Sequence, residues 1–549
     1  MARALSHLRR QRAAFLALIL TFLVPLAVVG GLLWPLPLDL SEAFAPSIFG
    51  PNHVWCGEQI WRFLSGRGPL FHTTSAGFPW ASEVRYLAWL PFLAVAPLRP
   101  FVGPLAAYNL VLLLSLPVSA VATWPLVRRW TGAGPWCAAA ACIAFALCPF
   151  ALGTLQAGEL PKLQVGLLPL FLYTLQRALD APAGYRWALA AALVAFVSSF
   201  TSVYFGMFLP PLCLGLLGLD SWRHRRLWRP LALGLLVAAA LLPVGLYHWP
   251  KLPLEGVHLL FLPSTNFQPG QPLPPAHTVA TLQDLVLGMP NSPDIGTAPR
   301  QVAYLGTALI LVLAIWAWRR RELRAGRRAA LVLLVAGAIL SLGPVLYLTE
   351  QPTRIPLPAH LLHALHYPIS QGGMYYRVAV IGSLGLALWL AAELAGRPRL
   401  AWLLLALHVG DALRASGPWP IPAGPVPGGE LLARMEGGEG AILDLPPEFD
   451  PADGNLRMLR AAMSGRPTTT HPHISVPWER RELLALWESA FMAPDPDAAL
   501  RALGVRFVVL DQPTSVWRAK ADRLGPPWME VDGLIAWDLG PASRGAPPP

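Results

Sequence analysis

Long apolar stretches separated by short polar connections dominate the first three quarters of the chain. A transmembrane helix needs about 20 apolar residues. Eleven stretches approach that length: 13–34, 104–127, 134–152, 160–179, 186–200, 203–219, 230–249, 302–318, 329–348, 376–395 and 399–414. The run 185–219 is too long for one crossing and is broken by Ser198, Ser199, Thr201, Ser202 and Tyr204, so it reads as two short helices joined by a tight turn. The stretch 87–98 reads as a short interfacial or re-entrant helix, because counting it as a span would invert every arginine cluster that follows.

The pattern changes near Ala415. A Pro/Gly linker, 415–429, leads into a region of ordinary charge density, 430–543, expected to be a small soluble α/β domain. A tail, 544–549, is expected to be disordered. Strands are predicted at Ala441–Leu445 and at the β-branched run Val505–Leu510, with a terminal hairpin of Trp528–Val531 and Leu534–Trp537 around Asp532-Gly533. Helices are predicted at Asn455–Met463, Glu479–Phe491, Asp497–Leu503 and Ser515–Leu524, the third opened by Asp495 and Pro496.

Composition agrees with the spans. Of 549 residues, 54% are hydrophobic and 13% charged, about half the charged share of soluble domains. Basic residues then give the threading. Arg3 to Arg12, Arg128 with Arg129, Arg177 with Arg186, Arg223 to Arg229, Arg319 to Arg328, and Arg397 with Arg399 fall in every second connection. Twenty arginines lie in these clusters, against nine basic residues in the loops between them. Basic residues stay on the cytoplasmic side. The N-terminus is therefore expected in the cytoplasm, and loops 35–103, 250–301 and 349–375 and the C-terminal domain outside it, with 1–414 forming an all-α polytopic membrane domain. The net charge of +11 reports this orientation and implies no nucleic-acid partner. The first apolar run lacks a small-residue cleavage pattern and reads as a retained helix. Five cysteines imply no disulfide framework; Cys56 with Cys148 is the one pairing the topology allows.

Candidate chemistry gathers on the outer side. None of the three lysines follows a glycine, so there is no P-loop; no HExxH or CxxC occurs, and no Asp-x-Asp pair is of the kind that holds a metal and a nucleotide diphosphate. Asp39, Glu42, Glu58 and Glu83 lie in the first loop; a carboxylate there can deprotonate an acceptor hydroxyl, with Asp39 and Glu58 the foremost candidates. The same charges can instead solvate amphipathic interfacial helices. In the short turn Gln156 to Gln164, Glu159 and Lys162 either pair with each other or serve as a cavity acid and a phosphate partner. Arg354 and Tyr375-Tyr376-Arg377 stand just outside a span, where arginine can clamp a lipid phosphate and Tyr and Arg can also act as interfacial anchors. His360, His363 and His366 recur every third residue without an accompanying acid. No metal site is therefore assigned; a divalent ion stays open, with no clear ligand set.

Several segments carry a family likeness: Gly66-Arg-Gly-Pro-Leu-Phe-His72, Gly103-Pro-Leu-Ala-Ala-Tyr-Asn109, Val127-Arg-Arg-Trp-Thr-Gly132, Ala157-Gly-Glu159 with Leu167-Leu-Pro-Leu-Phe-Leu, Tyr375-Tyr-Arg377-Val, and Ala502-Leu-Gly-Val-Arg-Phe-Val-Val-Leu510. Together they resemble bacterial polytopic proteins of the GT-C glycosyltransferase architecture. That resemblance implies a sugar taken from a polyprenyl-phosphate donor at the outer face of the bacterial inner membrane and passed to an envelope acceptor. It also implies Asp39, Glu58 and Glu159 as catalytic carboxylates, with Lys162, Arg354, Tyr376 and Arg377 against the lipid phosphate. Such proteins often carry an aspartate before the Trp-rich helix of the first loop; here the segment reads Gly50-Pro-Asn52-His53-Val-Trp55. Either Asp39, Glu42 or Glu58 takes that role, or the chain binds a lipid-linked sugar without transferring it. The alternative reading is a non-catalytic envelope protein or a lipid or polysaccharide transporter on the same scaffold. Span interiors are almost free of ionisable groups, which counts against a proton-coupled pump.

Overall fold

The computed structural model describes residues 2–206 apart from 46, 48–49, 71, 74, 80–81, 84–90, 181–184 and 203–204. It further describes 280–287, 303–318, 325–348, 352–364, and 375–541 apart from 418, 422, 437–438, 447–450, 471–476 and 512–514. The spans expected at 203–219 and 230–249 lie outside these residues, as does nearly all of loop 250–301. The chain divides into two compact units, one of 1–32 and 112–421, the other of 33–111 and 422–549.

The first unit is helical. Among the described residues, three helices are long and apolar enough to cross a membrane: His7–Leu32, Pro104–Thr131 and Tyr375–Glu393. The stretch expected at 134–152 is a pair, Pro135–Ala146 and Pro149–Gln156, bent by 43°. Pro149 explains the bend, since it has no amide hydrogen and its ring collides with the preceding turn. The span expected from residue 160 begins later, as Leu167–Asp180, after a short 3-10 turn at Leu160–Leu163. Further helices are Tyr185–Thr201, Thr307–Trp318, Ala325–Ser341 and Pro398–Ser416. Ala325–Ser341 stops short of the expected 348 at Gly343-Pro344, and Val345–Tyr347 becomes a strand paired with Pro352–Pro356.

Contacts between helix ends within this unit fall into two groups. At one end Arg129 pairs with Asp180, the Cys137 thiol donates to Leu394 O at 2.9 Å, and Arg327 Nε meets Glu393 Oε1 at 2.9 Å. Trp389 Nε1 donates to the same carboxylate at 3.2 Å. The arginine-rich connections thus converge. At the other end Ile421 N donates to Leu32 O, and Arg377 approaches Glu159. Helices Ala325–Ser341 and Tyr375–Glu393 touch backbone to backbone: a Cβ on Gly385 would lie 2.3 Å from Leu334 N. Small residues at such a seam replace the hydrophobic drive that lipid cannot supply.

The second unit joins the first loop to the C-terminal region. Its sheet has Ala441–Leu445 parallel to Val505–Leu510, then Leu534–Asp538 and Met529–Val531 antiparallel. The hairpin turns at Asp532 and Gly533, both at positive φ, as a tight two-residue loop requires. Asp495 caps the helix Pro496–Ala502 by accepting from Ala498 N at 3.0 Å. On the far edge, Thr468 bridges to Ile442, while Gly77 N and Phe78 N donate to Thr470 O and Thr468 O. A first-loop segment therefore extends the C-terminal sheet. Helix Gly50–Leu64 packs on helix Pro451–Ser464, and Arg62 Nη2 donates to Gly465 O at 3.2 Å. Behind the sheet, Trp487, Phe491, Val508 and Trp537 form a core that is almost fully buried.

A closed ionic network sits where the two parallel strands end. Arg460 Nη2 donates to Asp511 Oδ2 at 2.6 Å and Asp444 Oδ1 at 2.9 Å, and Arg457 Nε to Asp511 Oδ2 at 3.1 Å. Asp444 also accepts from Thr468 Oγ1, and all five side chains are buried. Burial alone would lower the Arg460 guanidinium, but Asp511 and Asp444 outweigh it and hold it above its ordinary value. Two charges of each sign cancel, so the group serves as a pin for four chain segments.

Candidate functional site

Glu159, Lys162, Tyr376 and Arg377 come together in the first unit. Helix Pro149–Gln156 ends in the turn Ala157-Gly158, Glu159 follows, and Lys162 lies in the 3-10 turn beyond it, in the connection between two helical segments. Tyr375–Val378 forms a 3-10 turn opening the helix that follows, which directs Arg377 toward the same carboxylate. Lys162 Nζ donates to Glu159 Oε2, and Arg377 Nη2 lies 3.9 Å from Glu159 Oε1. The Arg377 guanidinium also stands 5.5 Å from the Tyr376 ring centroid, within cation–π range. Glu159, Tyr376 and Arg377 are each at most 5% exposed.

Two cations, Lys162 and Arg377, face one carboxylate, Glu159. Burial pushes the Lys162 ammonium down, Arg377 adds to the effect and Glu159 opposes it, with the outcome at about 7.

The turn is bolted to helix Pro104–Thr131. Ser119 Oγ donates to Leu163 O at 3.1 Å and Gln164 Nε2 to Ser115 Oγ at 2.8 Å. Gly166 lets the backbones meet, since a Cβ there would lie 2.6 Å from Ser119 Cα. These supports were not singled out from the sequence; two serines four apart on an apolar helix, facing a polar turn, were the available signal.

The other candidate carboxylates lie in the second unit and differ sharply. Glu58 is 5% exposed and accepts from Arg99 Nε at 2.7 Å and Arg99 Nη2 at 3.3 Å, with Arg62 Nε at 3.7 Å. It is a bidentate partner that ties helix Gly50–Leu64 to the short helix Arg99–Val102. Asp39 is half-buried and caps its own turn: Oδ1 accepts from Glu42 N at 3.0 Å and Ser41 Oγ at 3.1 Å. Its Oδ2 has no partner among the described residues. At the Asn52-His53 position, His53 is buried 5.4 Å from the Phe92 ring and Asn52 Oδ1 accepts from Cys56 Sγ.

Arg354 lies on strand Pro352–Pro356, but its side chain is outside the described part, as are those of Glu83, His363 and His366; His360 is exposed. Among the described residues no group of three His, Cys, Asp or Glu side chains is arranged to hold a metal ion. Cys56, Cys137, Cys142 and Cys148 are free thiols.

No family model matches the sequence, and no curated protein does. Solved structures do. The mycobacterial arabinofuranosyltransferase AftD, in its R1389S mutant form, superposes with a TM-score of 0.54 at 15% identity over 98% of this chain. Apo ArnT from Cupriavidus metallidurans gives 0.53 at 15% identity, covering 96% of this chain and 99% of that one. This chain has the GT-C fold. ArnT bound to undecaprenyl phosphate gives 0.50 at 12% identity over 98% of both chains. This chain spans 35–42% of the length of the AftD structures, and nearly the whole length of ArnT.

Proposed function

We propose that the chain is a membrane glycosyltransferase that moves a sugar from a polyprenyl-phosphate donor to an envelope acceptor at the outer face of the bacterial inner membrane. The observation that carries this reading is the buried Lys162–Glu159–Arg377 cluster in a chain of GT-C fold. A phosphodiester joining lipid and sugar carries one negative charge, and arginine and lysine together supply the donors its oxygens need. A neighbour in fold, ArnT, was solved with undecaprenyl phosphate bound. In this reading the arginine-rich helix ends face the cytoplasm, the cluster faces outward, and 430–543 is extracytoplasmic.

Roles follow from what each side chain already does. Lys162 and Arg377 hold the phosphate, with the Tyr376 ring beside Arg377, and Arg354 stands in reserve on its strand. Glu159 keeps the two cations apart and oriented, which makes it a positioning residue. Glu58 is committed to Arg99, and Asp39, whose Oδ2 has no partner among the described residues, is taken as the base that accepts the acceptor hydroxyl's proton as that oxygen attacks the sugar carbon. The phosphate leaves on the lipid.

The test uses the full chain in lipid nanodiscs. It is incubated with undecaprenyl-phosphate glucose, galactose and arabinose, and release of free undecaprenyl phosphate is measured. Release by at least one donor, lost in Asp39→Asn and in Arg377→Met, is the expected result. A protein that binds undecaprenyl phosphate no better than Lys162→Met/Arg377→Met overturns the reading.

A further inference from the structure

Asn109, near the start of helix Pro104–Thr131, is fully buried, and its amide is spent on one short turn. Nδ2 donates to Leu40 O at 3.0 Å and to Ala43 O at 2.8 Å. Both neighbours are carbonyls, which only accept, so the NH₂ group must face them and the amide orientation is fixed by the network. Oδ1 is then left buried without a partner. An orphaned buried acceptor is destabilising, whereas an apolar side chain of similar volume would leave none. The amide is therefore kept for its two donor bonds.

Those bonds close around Asp39. Asp39 N donates to Leu36 O at 3.2 Å and Ala43 N to Asp39 O at 3.1 Å, while the carboxylate caps Glu42 N. The exit from the turn is held as well: Ala43 and Phe44 pair with Pro425 and Gly424, and Val426 N donates to Glu42 O. Leu40 and Ala43 flank the capped residues on both sides, so an amide bonding both carbonyls sets the width of the loop that presents Asp39 Oδ2. A general base must be held to a fraction of an ångström, by groups that are themselves locked.

We propose that Asn109 is the positioning residue for the Asp39 carboxylate: it spans the mouth of the Asp39 turn and fixes where Oδ2 points. This rests on the reading of Asp39 as the base. Removing the amide leaves the carboxylate present but mobile, so turnover falls while donor binding, a task of other residues, does not.

The full chain in nanodiscs is compared with Asp39→Asn, Asn109→Leu and the isosteric Asn109→Asp, which cannot donate when ionised. With the undecaprenyl-phosphate sugar most active on the wild type, both Asn109 variants should lower kcat by about tenfold to a hundredfold. KM should stay within about twofold. Hydrogen exchange of the backbone across 39–43 should accelerate in both variants. Wild-type kcat in both Asn109 variants, with Asp39→Asn inactive, overturns the positioning role and leaves the base reading standing. Wild-type release by Asp39→Asn removes the base reading and the proposal with it. Unchanged exchange across 39–43 overturns the clamp without any donor.

Discussion

Arg377 Nη2 stands 3.9 Å from Glu159 Oε1, although the two residues come from helices distant in sequence. The carboxylate meets Lys162 with its other oxygen, so it separates two cations that would otherwise repel each other across a buried space. Glu159→Gln removes that separation and leaves two buried charges uncompensated. The expected outcome is a fall in undecaprenyl phosphate affinity of about tenfold or more, from the roughly 1.5–3 kcal/mol of a charge-assisted bond. Lys162→Met and Arg377→Met should each weaken binding by a similar factor, measured by titrating nanodisc-embedded protein with undecaprenyl phosphate.

The pH dependence of that binding follows from Lys162. Its ammonium is pushed down by burial and by Arg377 to about 7, and only the protonated form attracts phosphate. Below that value the charge is present and binding is strong; above it the charge is lost and affinity declines. Undecaprenyl phosphate affinity should therefore fall between about pH 7 and pH 9 in the wild type. It should stay flat over the same interval in Lys162→Arg, whose guanidinium does not titrate there. A wild type as flat as the arginine variant would remove lysine titration from the account.

Glu58 and Asp39 are both first-loop acids, yet the structure separates their tasks. Glu58 is buried and accepts a bidentate pair of bonds from Arg99, whose side chain is 29% exposed, so losing the carboxylate costs about 1–3 kcal/mol. Glu58→Gln should lower the thermal transition of the protein while undecaprenyl phosphate affinity stays at the wild-type value. Asp39→Asn should do the reverse for catalysis, abolishing sugar release with little change in melting temperature.

How much of this was legible in the sequence depends on the kind of signal. Periodicity and β-branching mark Val505–Leu510, and Asp495-Pro496 marks the start of a helix, because both act locally. Arginine spacing predicts a threading, and among the described residues Arg129 and Arg327 each meet an acid at a helix end. Glu159, Lys162 and Arg377 were recognisable one by one, since charge beside apolar spans stands out. The Glu159–Lys162 pairing was also legible from its spacing, whereas the approach of Arg377 was not, because it depends on helix packing. Asn109 and Gly166 were hidden for a related reason: an amide spanning two carbonyls, or a glycine against a serine backbone, leaves no local pattern. Arg457 and Arg460 lie in the helix predicted at Asn455–Met463, and nothing local marks them as buried against aspartates.

Those arginines lead to the last prediction. Arg460 bonds Asp511 and Asp444 at once, and Arg457 bonds Asp511 and the carbonyl of Pro446. The Asp444 carboxylate in turn receives Thr468, whose backbone carries the first-loop segment through Phe78. Arg460→Met leaves two buried carboxylates facing each other, a loss of about 3–5 kcal/mol. Because the first loop and the C-terminal sheet share this network, the loss should not stay local. Hydrogen exchange should accelerate in segment 75–78 as well as in strand Ala441–Leu445, whereas Tyr375–Glu393, in the other unit, keeps its protection. Arg457→Met and Arg460→Met combined with Asp444→Leu and Asp511→Leu remove all four buried charges together and should recover part of the lost melting temperature. A quadruple variant less stable than Arg460→Met alone would mean that packing by these side chains, and not charge compensation, holds the segments together.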